Sequence, residues 1–450
     1  MNVKALFAAL AFVPTLAWAQ NDDAANAQHL ILGQQASGST QLQARTNTHP
    51  DAQWFPKAGF GLFVHIGMSA VHGGIDLSWG MLKNKSWEDG EISPVEYWSL
   101  ADRWNPVNFK PEVWAKQAKE AGFKYVVFIT KHHDGYTMWP SKYSDFGVEQ
   151  KMGGRDLVKE VVEACRKNGL KIGLYFSPPD WYFDRNYRAF GKKGNKSYNI
   201  RHELVDKLPA KPAGHDQARI EMVRNQVREL LTNYGKIDIM WFDGGQGEIS
   251  NDEVRRLQPG IIINRRNGEI GDFGDSEGTL PTKRFTGWFE CNDPCWPSRW
   301  WCYSTSDRMD TGADVIGKLV IMRAWGGNFL ANVGPMADGS MPPEALEAWK
   351  VIGAWMKHSG ESVFDITGGN FPEKANQPVT LRGNNLMYVH AFPNFHKALI
   401  VQEVAKRPSR ITLLRTGEDV PFEYKNNTLT IHIPAHKRTR MVDTVKVYLD

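Results

Sequence analysis

Between residues 60 and 333 the sequence repeats one pattern: a short apolar run, a turn, then a stretch with apolar residues every three or four positions. The apolar runs are 60–66, 125–130, 172–176, 237–242, 261–264, 285–289 and 329–333. Helical periodicity fills most of the intervals, at 111–121, 156–168, 217–234, 314–325 and 343–358. Asp156 stands where an N-cap is needed and Gly169 where the second of these helices should stop. Runs that are apolar at consecutive positions must be buried on both faces, the condition of a parallel sheet covered by helices. Such alternation sustained over roughly 300 residues predicts a (β/α)8-type barrel in preference to a smaller doubly wound sheet. Some intervals hold a short helix or none, so the barrel is expected to be irregular.

The period changes near Asp365. Apolar runs at 379–381, 386–390, 398–402, 411–414, 428–433 and 445–449 come next, separated by Gly, Asn and Pro and lacking a helical period. They predict a small β-sandwich over 366–450 behind a catalytic barrel over 52–365. Residues 20–51 form a polar leader. Ahead of it, 1–19 has a positive start at Lys4, an apolar stretch and Ala17-Trp18-Ala19, the layout of a cleaved signal peptide. That stretch is too short to span a bilayer, and no later segment approaches eighteen apolar residues. An exported protein, periplasmic or secreted, is expected.

Charge excludes one class of partner. With 54 Lys plus Arg against 50 Asp plus Glu and no long basic run, nucleic acid is not expected to bind. Export makes the four cysteines worth placing. Cys165 lies on the stripe Leu157, Val161, Cys165 and reads as a buried free thiol. Cys291, Cys295 and Cys302 fall together, and one local disulfide is expected among them. They lack the fourth ligand and close pairing of a zinc site.

Polar residues fall where strands end: His65, then Lys131-His132-His133-Asp134, Tyr175 with Ser177, Asp243, Arg265-Arg266, Glu290 and Asn332. In a barrel these ends share one rim, where active sites are built. Asp243 sits in Trp241-Phe242-Asp243-Gly244-Gly245, a carboxylate held by a buried strand while two glycines let the chain turn away. It reads as a nucleophile or base. His132 and His133 are neighbours on a strand and point to opposite faces, which suits one for substrate hydroxyls and one for packing rather than both for one metal. The 17 Trp, 13 Tyr and 22 Phe supply rings that pack on sugar faces as well as in cores.

These residues carry a resemblance. Trp54-Phe55 with Lys57-Ala58-Gly59-Phe60-Gly61-Leu62-Phe63-Val64-His65, Lys131-His132-His133-Asp134-Gly135, Gly173-Leu174-Tyr175-Phe176-Ser177, Trp241-Phe242-Asp243-Gly244 and Asn332-Val333-Gly334-Pro335 with Ala337-Asp338-Gly339 succeed one another in order. In this the sequence resembles the α-L-fucosidases of glycoside hydrolase family 29. The resemblance implies a retaining exo-hydrolase acting on a terminal sugar, with Asp243 as nucleophile and no metal or organic cofactor. It further implies a pocket lined by His65, Trp79, His132, His133, Tyr175, Trp241 and Arg266, with Arg265 one step from that last role.

A retaining enzyme needs a second carboxyl, ~5–5.5 Å from the first, to protonate the leaving oxygen. Two glutamates compete. Glu277 ends Gly271-Asp272-Phe273-Gly274-Asp275-Ser276-Glu277, where relatives have Gly-Asp-Phe-x-Thr-Pro-Glu. Glu290 ends the predicted sixth strand in Trp288-Phe289-Glu290, one residue out of step with the usual Trp-Glu. Asp272 and Asp275 stand in reserve. Substrate choice is also open: Ile66 replaces a common Trp, 67–87 is longer and richer in Gly, and 295–302 departs from the usual Ser-Trp-Gly-Tyr. L-fucose and L-galactose differ by one hydroxyl, which an apolar wall discriminates by only ~1–3 kcal/mol. The alternatives are therefore the same mechanism on α-L-galactose or a sulfated sugar, or a non-catalytic sugar-binding relative. Oligosaccharides or polysaccharides with a terminal sugar are the expected partners, besides a homo-oligomer.

Overall fold

The computed structural model describes residues 47–85, 90–281, 285–305, 307–369 and 371–449. The signal-peptide reading and most of the polar leader fall on 1–46, outside the described residues.

Eight parallel strands form the first sheet: β1 (Phe60–Val64), β2 (Tyr125–Lys131), β3 (Lys171–Phe176), β4 (Ile239–Phe242), β5 (Ile262–Ile263), β6 (Phe273–Glu277), β7 (Trp288–Trp296) and β8 (Asn328–Val333). Each pairs with its predecessor in sequence from β1 to β5 and from β6 to β8, and β8 pairs back onto β1. A single parallel bridge between Asn264 and Phe273 links the remaining two edges and closes the ring. The order predicted from the repeating pattern is therefore the order around the barrel. β1 and β2 are buried along their whole length, as strands covered on both faces must be.

Helices α1 (Pro111–Ala121), α2 (Leu157–Lys167), α3 (His215–Thr232), α4 (Asn251–Leu257), α5 (Gly312–Ala324) and α6 (Pro343–Ser359) cover the outside. α2 shows why they stop where they do. The Asp156 carboxylate accepts from Lys159 N at 2.8 Å, and Gly169, just beyond the last turn, takes the left-handed φ of +63°. Its buried stripe contains Leu157, Val161 and Cys165. Among the described residues no α-helix stands between β5 and β6 or between β6 and β7, which accounts for the expected irregularity.

Three expectations are corrected. β6 was not foreseen, because Phe273-Gly274-Asp275-Ser276-Glu277 is polar at alternate positions; those side chains meet the barrel interior and its charged groups rather than an apolar core. The sixth predicted strand, 285–289, is the seventh in the barrel and starts later, at Trp288. Glu290 is then its third residue and not its end. The local disulfide is also absent, and all four cysteines are free thiols. Cys291 and Cys295 lie on one extended strand, and four residues at ~3.3 Å each place them too far apart to bond.

After α6 the chain builds two antiparallel sheets. One is five-stranded: β9 (Thr367–Gly368), β10 (Val379–Arg382), β11 (Leu386–Ala391), β13 (Arg410–Leu413) and β16 (Asp443–Tyr448). The other has three strands: β12 (Leu399–Val401), β14 (Phe422–Lys425) and β15 (Thr428–Ile431). Val389, Leu413, Leu429, Ile431 and Val445 form a second core between them. The fold is thus an irregular (β/α)8 barrel followed by a small C-terminal β-sandwich. The sandwich is tied to the barrel's last helix by Trp355 Nε1 donating to Val442 O at 2.8 Å, and to the turn just after that helix by Arg382 Nη2 donating to Glu361 O at 2.7 Å. Among the described residues no helix is long and apolar enough to cross a membrane.

Candidate active site

A cavity opens at the C-terminal end of the barrel strands. Phe63, His65, Trp79, His132, Tyr175, Trp241, Asp243, Arg266, Glu277, Asn292 and Trp301 line it.

Strand periodicity explains most of this set. Side chains two apart share a face, so Phe63 and His65 on β1 and its end, and Trp241 and Asp243 on β4 and its end, reach the interior at successive heights. Asp243 is held from three sides. Tyr175 O–H donates to its Oδ2 at 2.8 Å, and Arg266 Nη1 lies 3.2 Å from its Oδ1. His133 Nε2 is 3.5 Å from Oδ2, too long for a strong hydrogen bond. Burial pushes the His133 imidazole down to about 4, against the pull of Asp243, so the ring is neutral near pH 7.

The other imidazoles are fixed from behind. His65 Nδ1 meets Asn332 Oδ1 at 2.7 Å, and His132 Nδ1 meets Ser78 Oγ at 2.7 Å. His133 Nδ1 pairs with Ser177 Oγ. Each ring therefore has one committed nitrogen. Burial lowers His65 to about 4 and His132 well below the usual range, and both are neutral hydrogen-bonding groups.

Arg266 is the centre of charge. Its Nη1 donates to Glu277 Oε2 at 2.8 Å as well as to Asp243, while its Nε donates to Asp275 Oδ2 at 2.8 Å. Burial works against its charge, but Asp275, Glu277 and Asp243 hold it well above the usual range. Arg265 turns the other way and donates through Nε to Asp275 Oδ1 at 3.0 Å. Asp275 is thus a counter-ion beneath the site, and Asp272 is taken up by Arg255 and Asn47. Two oxygens that share one donor nitrogen are at most about 6 Å apart, short of the ~6.5–9.5 Å of inverting pairs. Burial raises the Glu277 carboxyl above its ordinary value, and the Asp243 charge adds to that, against Arg266.

Glu290 is elsewhere. Fully buried below the cavity, it accepts from Tyr125 O–H at 2.5 Å and from Trp241 Nε1 at 3.0 Å. Tyr125 gets there by lying across Gly61, where a Cβ would come within 2.2 Å of its ring. Burial raises Glu290 to about 7. Both of its oxygens are engaged with the floor of the site.

Of the residues expected from sequence, His65, Trp79, His132, Tyr175, Trp241, Asp243, Arg266 and Glu277 meet in the cavity, and His133 stands just behind Asp243. Phe63, Asn292 and Trp301 also line it and were not foreseen. Phe63 was legible as the position two before His65. Asn292 required the true extent of β7, and Trp301 comes from a loop without periodicity. The ligand atoms of His132, His133 and Asp243 lie within 4.8 Å of one another, a geometry open to a metal. The Arg266 cation already beside Asp243 opposes a second positive charge there. A second such group, Asp293, Cys295 and Asp310, is occupied by the Lys318 ammonium, which pairs with Asp310 at 2.7 Å.

A family model described as Alpha-L-fucosidase matches residues 27–361. An α-L-fucosidase of Dictyostelium discoideum is 25% identical over 86% of this chain and 90% of its own. A tissue α-L-fucosidase of Rattus norvegicus is 29% identical over 71% of each. Among solved structures, α-L-fucosidase isoenzyme 1 from Paenibacillus thiaminolyticus superposes with a TM-score of 0.77 at 28% identity, covering 89% of this chain and 99% of that one. A family 29 α-L-fucosidase from Bacteroides thetaiotaomicron, a Glu-to-Gln mutant trapped as a covalent intermediate with 2-fluoro-fucosyl fluoride, gives 0.75 at 27% identity, covering 91% and 99%.

Proposed function

The chain belongs to the α-L-fucosidase family of glycoside hydrolases, and we propose that it is an exported, exo-acting, retaining enzyme that releases terminal α-L-fucose from glycans or polysaccharides. Asp243 is the nucleophile and Glu277 the acid/base. The observation that carries this reading is the single Arg266 nitrogen lying between the two carboxylates inside one cavity at the strand ends. That the Bacteroides relative was trapped covalently as a Glu-to-Gln mutant supports a carboxylate pair of this kind.

In the first step an Asp243 oxygen attacks the anomeric carbon as the bond to the leaving oxygen breaks, and the Glu277 proton passes to that oxygen. The raised Glu277 carboxyl suits it to hold that proton. Arg266 and Tyr175 hold Asp243 in place and aim it. In the second step Glu277, now ionised, takes a proton from water as the water attacks the same carbon, and Asp243 is released. The neutral imidazoles of His65 and His132 present their free nitrogens to sugar hydroxyls. Trp79 and Trp241 offer ring faces, and Trp241 is fixed at its indole N–H by Glu290. A second reading, the same chemistry on a related sugar such as α-L-galactose, is favoured by the polar Asn292 in the cavity wall.

Asp243→Ala should abolish cleavage of aryl α-L-fucosides, and azide should restore part of the aryl-group release by attacking in place of the carboxylate. Unchanged turnover in that variant ends the assignment. Comparing aryl α-L-fucoside with aryl α-L-galactoside separates the two readings.

A further inference from the structure

Asn292 has no role in the chemistry above, yet its position is unusual. It is the fifth residue of β7, lies two positions above Glu290 on the same strand face, and lines the cavity. It is 1% exposed, and neither its Oδ1 nor its Nδ2 has a hydrogen-bond partner among the described residues. Its register partner on β6 is Glu277, one strand spacing away. The other polar groups of the cavity wall each have a protein partner: His65 has Asn332, His132 has Ser78, and Tyr175 and Arg266 share Asp243. A buried amide left unpaired at both ends is costly, and a chain that keeps one at a ligand cavity gains from what the ligand supplies there.

Resting on the glycosidase reading, we propose that Asn292 is a specificity-determining residue that binds one hydroxyl of the terminal sugar. A hydroxyl both donates and accepts, so it can give its proton to Oδ1 and take one from Nδ2. Two of the aromatic side chains that share the cavity, Phe63 and Trp301, offer carbon to the rest of the ring and cannot replace this pairing. A site built around such a pair rejects sugars lacking that hydroxyl far more strongly than an apolar wall rejects an added one.

The test uses the full-length protein and two variants, Asn292→Leu, similar in shape and without hydrogen-bonding atoms, and Asn292→Asp, which keeps the acceptor. kcat/KM is measured on aryl α-L-fucoside, aryl α-L-galactoside and the monodeoxy forms of each, with thermal melting to check folding. Affinity for the corresponding free sugars is measured in parallel by calorimetry. The expected result is a loss of about 10- to 100-fold in kcat/KM for Asn292→Leu on the preferred sugar. The loss disappears on the one deoxy sugar that lacks the matching hydroxyl, and that position identifies the hydroxyl. Equal loss on every sugar, or no loss on any, overturns the proposal. So does a shift of the basic limb of the pH–rate profile, which marks Asn292 as acting through Glu277. A wild-type protein that binds the sugars without hydrolysing them refutes the glycosidase reading alone, and the same comparison is then read in affinity. If wild type neither binds nor hydrolyses them, both fail.

Discussion

Replacing Glu277 by Ala removes the proposed proton donor while leaving the proposed nucleophile in place, and the contacts of Arg266 determine how far the damage spreads. In the wild type one guanidinium nitrogen serves Asp243 and Glu277, and the Nε of the same side chain is anchored to Asp275. Without Glu277 the anchor to Asp275 persists, so Arg266 stays beside Asp243 and the proposed nucleophile keeps its partner and its aim. The loss is then confined to proton transfer, which is worth ~10²–10⁴ in rate, or about 3–5.5 kcal/mol of transition-state stabilisation. That full loss is expected on natural glycans, whose leaving alcohol needs the proton. An aryl fucoside with a strongly acidic phenol departs unaided, so its first step should be far less affected and the second step should become limiting. Azide, which needs no general base, should relieve the second step. It attacks the covalent intermediate on the face opposite Asp243 and should give an α-linked glycosyl azide. In Asp243→Ala the azide attacks from the side of the missing carboxylate and should give the β-linked product. Proton NMR of the two azides reads the anomeric configuration directly. The wild-type rate should also fall as pH rises through the raised Glu277 value, since the protonated form is the donor, and Glu277→Ala should lose that limb. Full activity of Glu277→Ala on an oligosaccharide, or a β-azide from it, would refute the assignment of Glu277.

Tyr175→Phe removes the 2.8 Å hydrogen bond to Asp243 Oδ2 and should lower kcat/KM by about 10- to 100-fold, with little change in melting temperature. An activity within twofold of wild type would show that Arg266 alone orients the nucleophile. Glu290 makes a different kind of prediction. Its folded value of about 7 lies above its ordinary 4.5, so the folded state holds this proton more tightly. Its contribution to stability is therefore full below pH 4.5 and is lost as pH rises to 7, by about 3 kcal/mol in all. Urea unfolding of Glu290→Gln at pH 5 and pH 8 should lack that part of the wild-type slope. His65 and His133, with values lowered by burial to about 4, act in the opposite sense, losing stability as pH falls from 6.5 towards 4. Only the difference between wild type and variant therefore isolates Glu290.

The barrel was legible in the chain because a parallel strand covered on both faces must be apolar at successive positions, and β1 to β4 and β8 are. The same rule hid β6 and shifted β7, since strands whose inward side chains meet water, a sugar or a buried ion pair carry Asp275, Glu277 and Asn292 and lose the apolar signature. Asp243, His65, His132 and Tyr175 could be picked out one by one, because each lies at the end of its strand and strand ends share a rim. Which glutamate faces Asp243 could not be read in this way. Glu277 and Glu290 lie thirteen positions apart on neighbouring strands, and only the stagger between β6 and β7 raises one to the cavity and sinks the other onto Tyr125 and Trp241. Local sequence specified the strands, the caps and the residue types at their ends. The heights at which those side chains meet depend on inter-strand register, a long-range property set by the packing of the whole ring, and it was this that separated the proposed proton donor from a buried prop.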